Sequence, residues 1–278
     1  MSRSAAGPTA FVLGGGGLLG AVEVGMVRAL FERGIVPDLV VGTSVGALNG
    51  LVVANDPTSA CVDRLRDLWT EIAEGGDVYA DRAWTQLRRA WRTGTHLHSA
   101  EPLRQRLERE FAGVRFEDLA VPFQCCASHI ERASEHWFTT GPVVPAVLAS
   151  AAVPGLLPPA EVDGEHYLDG GIVNSIPVGR AAELGARRIF VLQVGRAERR
   201  LSPPRRPWEV ARVSFEIARR HRFHRELDAL PADVDAYVLP SAVTADDDSP
   251  LAYRDASAVH RRIEAAYRAG LTYLAEVA

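Results

Sequence analysis

Leu39-Val40-Val41-Gly42-Thr43-Ser44-Val45-Gly46 is the stretch on which the fold turns. A short apolar, β-branched run enters a Gly-x-Ser-x-Gly turn, and a helical pattern starts near Val45. Gly42 and Gly46 stand where the backbone turns too tightly for a Cβ, so the turn exposes the Ser44 hydroxyl. It also aims the first amides of the next helix, that of Val45 included, at the space above the serine where an oxyanion would form. The bare pattern arises by chance wherever Gly and Ser are common; the flanking strand and helix give it chemical weight.

Upstream, Thr9 to Leu13 reads as a strand ending in Gly14-Gly15-Gly16-Gly17, after which Val22, Met26, Val27, Leu30 and Phe31 recur at helical spacing. Gly34 closes that helix and Pro37-Asp38 turns into the second strand. Strand, helix, strand, helix in the first fifty residues predicts an α/β fold with a mainly parallel sheet, its functional groups gathered at the carboxyl ends of the strands. Gly15-x-Gly17-x-x-Gly20 formally matches a dinucleotide fingerprint. That reading needs an acidic residue at the end of the second strand, whereas Asp38 precedes it and Gly42-Thr43-Ser44 ends it. Successive free amides beside a nucleophilic serine fit an anion-binding nest better.

Downstream, the chain from Thr58 to Phe111 is mostly helical and polar, with Trp69, Trp84, Trp91 and an Arg-rich segment from Gln86 to Arg92, and reads as an excursion over the sheet edge. Phe123 to Ala127 and Glu135 to Thr139 form a strand pair, Pro142 to Ser150 a helix, and Glu165 to Leu168 a strand delivering Asp169-Gly170-Gly171. Pro177 to Gly185 is helical, Arg188 to Val194 strand, Trp208 to Leu230 helix, Ala236 to Leu239 strand and Leu251 to Ala275 helix. Without an internal repeat or a dividing linker, residues 1–278 read as one domain.

The 278 residues carry a net charge of −4, too weak a field to argue for a nucleic-acid partner. Lysine is absent, which removes Schiff-base chemistry, a Ser-Lys dyad and a Walker lysine. Cys61, Cys125 and Cys126 suggest neither a disulfide framework nor a metal knuckle, and fit a reducing cytoplasm. Met1 to Thr9 lacks the pattern of a secretory signal. The longest uncharged stretch, Thr139 to Ala160, contains five prolines, so no transmembrane helix is expected there.

A serine needs a proton acceptor, usually His held by Asp. His221, His224 and His260 are the histidines after Asp169, and they lie among arginines on helices that read as solvated. Asp169 ends a strand, and so falls at the same sheet edge as Ser44; plain turn chemistry is the competing account of Asp-Gly-Gly.

Four blocks in order, Gly14 to Gly20, Gly42 to Gly46, Ala149 to Pro159 and Asp169-Gly170-Gly171 with Asn174 and Pro177, resemble the patatin-like phospholipases over about residues 10 to 195. The resemblance implies a three-layer α/β/α sandwich and a Ser44–Asp169 dyad without histidine. It also implies an oxyanion hole from the amides of Gly15, Gly16 and Gly17, and hydrolysis of fatty acyl esters or phospholipids without metal or cofactor. Where that family carries Arg or Lys in the glycine block, this chain has Leu19. An acyltransferase or thioesterase using the same dyad, or a catalytically silent lipid-binding protein, are the alternatives. Arg205-Arg206-Pro207-Trp208 and the following Arg-rich helix are a candidate peripheral contact with an anionic membrane surface, with a solvated helix face as the competing reading. Val153 to Pro159 and the Trp84 to Trp91 region are candidate walls of an acyl channel, with core packing as the alternative.

Overall fold

Strand β1 (Thr9–Leu13) is buried along its whole length and alternates its side chains between two cores, as a strand covered on both faces must. Phe11 and Leu13 face one core, Ala10 and Val12 the other. β2 (Leu39–Thr43) and β7 (Arg188–Leu192) flank it in parallel; β3 (Phe123–His129) extends the parallel run beyond β2, and β8 (Asp235–Leu239) beyond β7. The structure, a computed structural model, describes residues 7–75, 96–195, 200–243 and 256–277. Trp84, Trp91, the segment 86–92, the expected helix start at Leu251 and the Trp208 side chain lie outside the described residues.

The first core joins Phe11, Leu13, Val40, Phe190 and Leu192 to helices α1 (Ala21–Glu32), α2 (Val45–Asn55), α3 (Ala60–Gly75), α4 (Glu101–Phe111), α5 (Val143–Ser150) and α8 (Ala256–Val277). The second joins Val12, Val41, Ile189 and Val191 to Val178 and Ala181 of α6 (Val178–Glu183) and Phe223 of α7 (Pro207–Asp228). Helices on both faces of one sheet make the expected three-layer α/β/α sandwich. α1 and α8 touch backbone to backbone: a Cβ at Gly25 would overlap the main chain of Ile263 and Tyr267. Arg28 Nη1 reaches Glu264 at 2.6 Å and Tyr267 donates to Glu32 at 2.7 Å across the same seam.

One edge departs from the parallel pattern. β4 (Ser134–Phe138) and β6 (Glu165–Asp169) both run antiparallel to β3, and β5 (Ala160–Val162) pairs with β6 through a tight turn at Asp163 and Gly164, with φ of 54° and 80°. Asp169 ends a strand near Ser44, as expected, but that strand runs antiparallel to its neighbour β3. Thr43 pairs with Cys126 and Asp169 with Ala127, while β4 takes Trp137 and His136 opposite those same two residues. Since β4 occupies one side of β3, β2 and β6 share the other. They run toward each other, and their carboxyl ends meet. The uncharged stretch from Thr139 to Ala160 contains the eight-residue α5 and the loop that leads into β5. No helix of the described residues is long and apolar enough to cross a membrane.

Candidate active site

Ser44 sits between β2 and α2 with φ 57° and ψ −124°, a left-handed conformation that a side chain rarely adopts and that costs about 1–3 kcal/mol. The surroundings enforce it. A Cβ at Gly46 would overlap the backbone of Leu13 and Gly14, and one at Gly42 would overlap that of Gly46 and Ala47. The elbow is thus clamped against the end of β1, and both glycines are required by close approach, as the pattern predicted.

The Ser44 Oγ donates to Asp169 Oδ2 at 2.5 Å, and the Gly171 amide donates to Asp169 Oδ1 at 2.7 Å. Both residues are buried, Ser44 at 5% and Asp169 at 6% exposure. Burial pushes the Asp169 carboxyl up to about 6, against the opposing pull of the bonds from Ser44 and Gly171. All three oxygens of Asp169 are held, since Ser128 Oγ donates to its carbonyl at 2.8 Å. Among the described residues no histidine bonds to Ser44 or Asp169; His221, His224 and His260 are exposed on α7 and α8, as expected.

Ser150, at the end of α5, ties the elbow to β3. Its Oγ accepts from the Ser44 amide at 2.9 Å and donates to the Cys126 carbonyl at 2.6 Å. Thr43 Oγ1 donates to the Asn174 carbonyl at 2.8 Å, fastening the elbow to the loop after Asp169. These positioning contacts escape sequence reading because a serine in an Ala-rich helix and a threonine in a strand carry no pattern of their own.

The glycine turn abuts this site: a Cβ at Gly15 would stand 3.3 Å from Ser44 Cβ. The Gly15 amide, expected to line an oxyanion hole, instead donates to the Ser175 carbonyl at 2.8 Å. Gly15 is therefore a spacer that lets the turn approach the serine. Gly16 and Gly17 are exposed beyond it, and Val45 opens α2, where the first amides have no intrahelical acceptor. Half-buried Leu19 packs on the first core. Under the turn, Asn49 Nδ2 donates to the Gly20 carbonyl at 3.0 Å and to Glu23 Oε2 at 2.7 Å, while Trp69 Nε1 donates to Asn49 Oδ1 at 3.0 Å. Burial pushes the Glu23 carboxyl well above the usual range.

Among the described residues, the grouping with metal-ligand spacing is His129, Glu131 and Glu165, toward the start of β6 from Asp169. Glu131 lies 3.4 Å from His129 Nδ1 and Glu165 lies 3.6 Å from Nε2. Carboxylates beside opposite ring nitrogens do not converge on one ligand position, and Nδ1 already accepts from the Arg132 amide at 3.3 Å.

A strained serine at a strand-to-helix elbow, on the carboxyl edge of a mostly parallel sheet between two helical layers, defines the class of α/β serine-hydrolase scaffolds. Within that class the chain belongs to the patatin-like phospholipase family, whose family model matches residues 11–182. It is 32% identical over 191 residues to a putative patatin-like phospholipase domain-containing protein, M110.7, of Caenorhabditis elegans, covering 67% of this chain and 17% of that protein. It is 30% identical to lysophospholipase NTE1 of Saccharomyces cerevisiae, covering 68% and 11%, and 31% identical to neuropathy target esterase sws of Drosophila melanogaster, covering 66% and 13%. The chain thus matches less than a fifth of the length of these relatives. Among solved structures, VipD from Legionella pneumophila aligns with a TM-score of 0.48 at 14% identity, over 97% of this chain and 67% of that one.

Proposed function

We propose that this protein is a lipid acyl hydrolase in which Ser44 attacks an ester carbonyl and Asp169 takes its proton. The 2.5 Å contact between Ser44 Oγ and Asp169 Oδ2 carries this reading. Attack forms an acyl-enzyme and expels the alcohol, which takes the proton held by Asp169. Asp169 then draws a proton from water for deacylation. A carboxyl held near 6 is a stronger base than an ordinary aspartate, while the oxyanion is met by the amides of Gly16, Gly17 and Val45. The relatives' names, lysophospholipase and neuropathy target esterase, support acyl esters of phospholipids or lysophospholipids as the substrate class.

Residues 1–278 are read as one such domain, on the support of a single sheet that gathers every described strand from Thr9 to Leu239. A cytoplasmic setting is supported by three buried free cysteines. Peripheral membrane contact is supported by exposed Ile172, next to the Asp169 turn, and by exposed Phe215, Arg205 and Arg206 on and before α7.

The test is a hydrolysis panel of p-nitrophenyl esters, phosphatidylcholine and lysophosphatidylcholine, run beside Ser44→Ala, with fluorophosphonate labelling of the serine. Turnover of a lipid ester and labelling of wild type alone are expected. A protein inert to every ester and to the probe would sink the reading.

A further inference from the structure

Arg219 lies on the face of α7 that packs against the sheet, with its side chain 5% exposed. Its Nε pairs with Glu216 at 3.1 Å, but Glu216 also holds Arg220 at 2.6 Å. Two guanidinium groups thus share one carboxylate, and the buried Arg219 Nη1 has no hydrogen-bond partner. Burial pulls the Arg219 guanidinium below its usual range. A buried cation with an open donor is costly unless an anion completes it.

Its position says which anion. The guanidinium lies over Gly195, where a Cβ would overlap Nη2 and stand 3.3 Å from Cζ. The preceding residue, Val194, covers Gly16 of the glycine turn. One helical turn earlier on α7, Phe215 stands 3.3 Å from where a Cβ of Gly171 would be, beside Asp169. Through Phe215 and Arg219, α7 therefore reaches from the turn after Asp169 to Gly195, the residue next to the Val194 that covers Gly16.

Resting on the acyl-hydrolase reading above, we propose that Arg219 is a substrate-binding residue that pairs with the headgroup phosphate of a phospholipid or lysophospholipid. Nη1 and the fork geometry of guanidinium suit a phosphate oxygen, and the buried setting strengthens a charge-assisted bond.

The experiment compares lysophosphatidylcholine with the monoacylglycerol bearing the same acyl chain, using the full chain and Arg219→Gln. The ratio of kcat/KM for the two substrates should fall roughly 10- to 100-fold, chiefly through KM for the phospholipid, with partial recovery in Arg219→Lys. An unchanged ratio overturns the proposal, since a purely structural arginine would lower both substrates together. If Arg219→Gln fails to fold, wild type decides. Glycerophosphocholine should compete with monoacylglycerol hydrolysis more strongly than inorganic phosphate at equal concentration. No competition, or equal competition by inorganic phosphate, overturns the headgroup assignment. Wild type inert toward both lipids would sink the acyl-hydrolase reading, and this proposal with it.

Discussion

Thr43 and Asp169 end two strands that run head to head along one side of β3, pairing with its consecutive residues Cys126 and Ala127. This collision of carboxyl ends sets the serine and the acid within one hydrogen bond, with no third residue between them.

Ser44→Ala and Asp169→Asn should each lower kcat for a p-nitrophenyl ester by at least about 10³-fold, because the nucleophile and base act as a unit. Steady-state kinetics on the folded variants check this, with circular dichroism to confirm the fold. Asp169→Asn retaining more than a tenth of wild-type turnover would remove it as the base.

Ester hydrolysis should depend on pH with an acid limb. With ionised Asp169 as the proposed base, kcat/KM should be half-maximal near pH 6 and fall about tenfold per unit below it. Stability runs the other way. The folded-state value is raised above the ordinary 3.8, so the stability linked to protonation is complete below pH 4 and lost as pH rises through about 6. The loss is on the order of 3 kcal/mol, and chemical denaturation of Asp169→Asn should show it removed.

Gly46→Ala should destabilise the protein, although in a relaxed helix the exchange gains up to about 1 kcal/mol, since its Cβ would meet the backbone of Leu13 and Gly14 and not a movable side chain. An elbow pushed off β1 should lose activity even where folding survives. Wild-type kinetics in a folded Gly46→Ala would show that the clamp is dispensable.

Asn49→Ala should destabilise the protein by about 2–3 kcal/mol, because it orphans the Trp69 indole, the Gly20 carbonyl and a Glu23 oxygen in one step. Urea unfolding measures this. Asn49→Asp, which keeps an acceptor for Trp69 but sets a second carboxyl against Glu23, should be no better than Ala at neutral pH.

Most of the architecture was legible from apolar periodicity and glycine placement, because fully buried parallel strands read as continuous runs and close approaches read as Gly42 and Gly46. The pairing of Ser44 with Asp169 came from the family resemblance, since the residues alone left plain turn chemistry open at Asp169, and the reason for their meeting was not legible. Pairing direction depends on which strands a chain brings together, and nothing in Glu165 to Asp169 announces an antiparallel strand. The β5–β6 hairpin has a turn signal in Asp163-Gly164, but no long apolar run precedes it. Ser150 and Asn49 were illegible for a different cause: each works through two or three buried partners far away in sequence, and single side chains leave no period.

The seam between α1 and α8 joins Arg28 to Glu264 across 236 residues of chain. The helix that begins right after the glycine turn therefore waits, during synthesis, for a partner made near the other end of the chain. A ribosome-bound product lacking α8 has its serine but not the brace behind its glycine turn. Long-range closure of this kind slows folding, and the brace behind the glycine turn is complete only once residues 256–277 have been made.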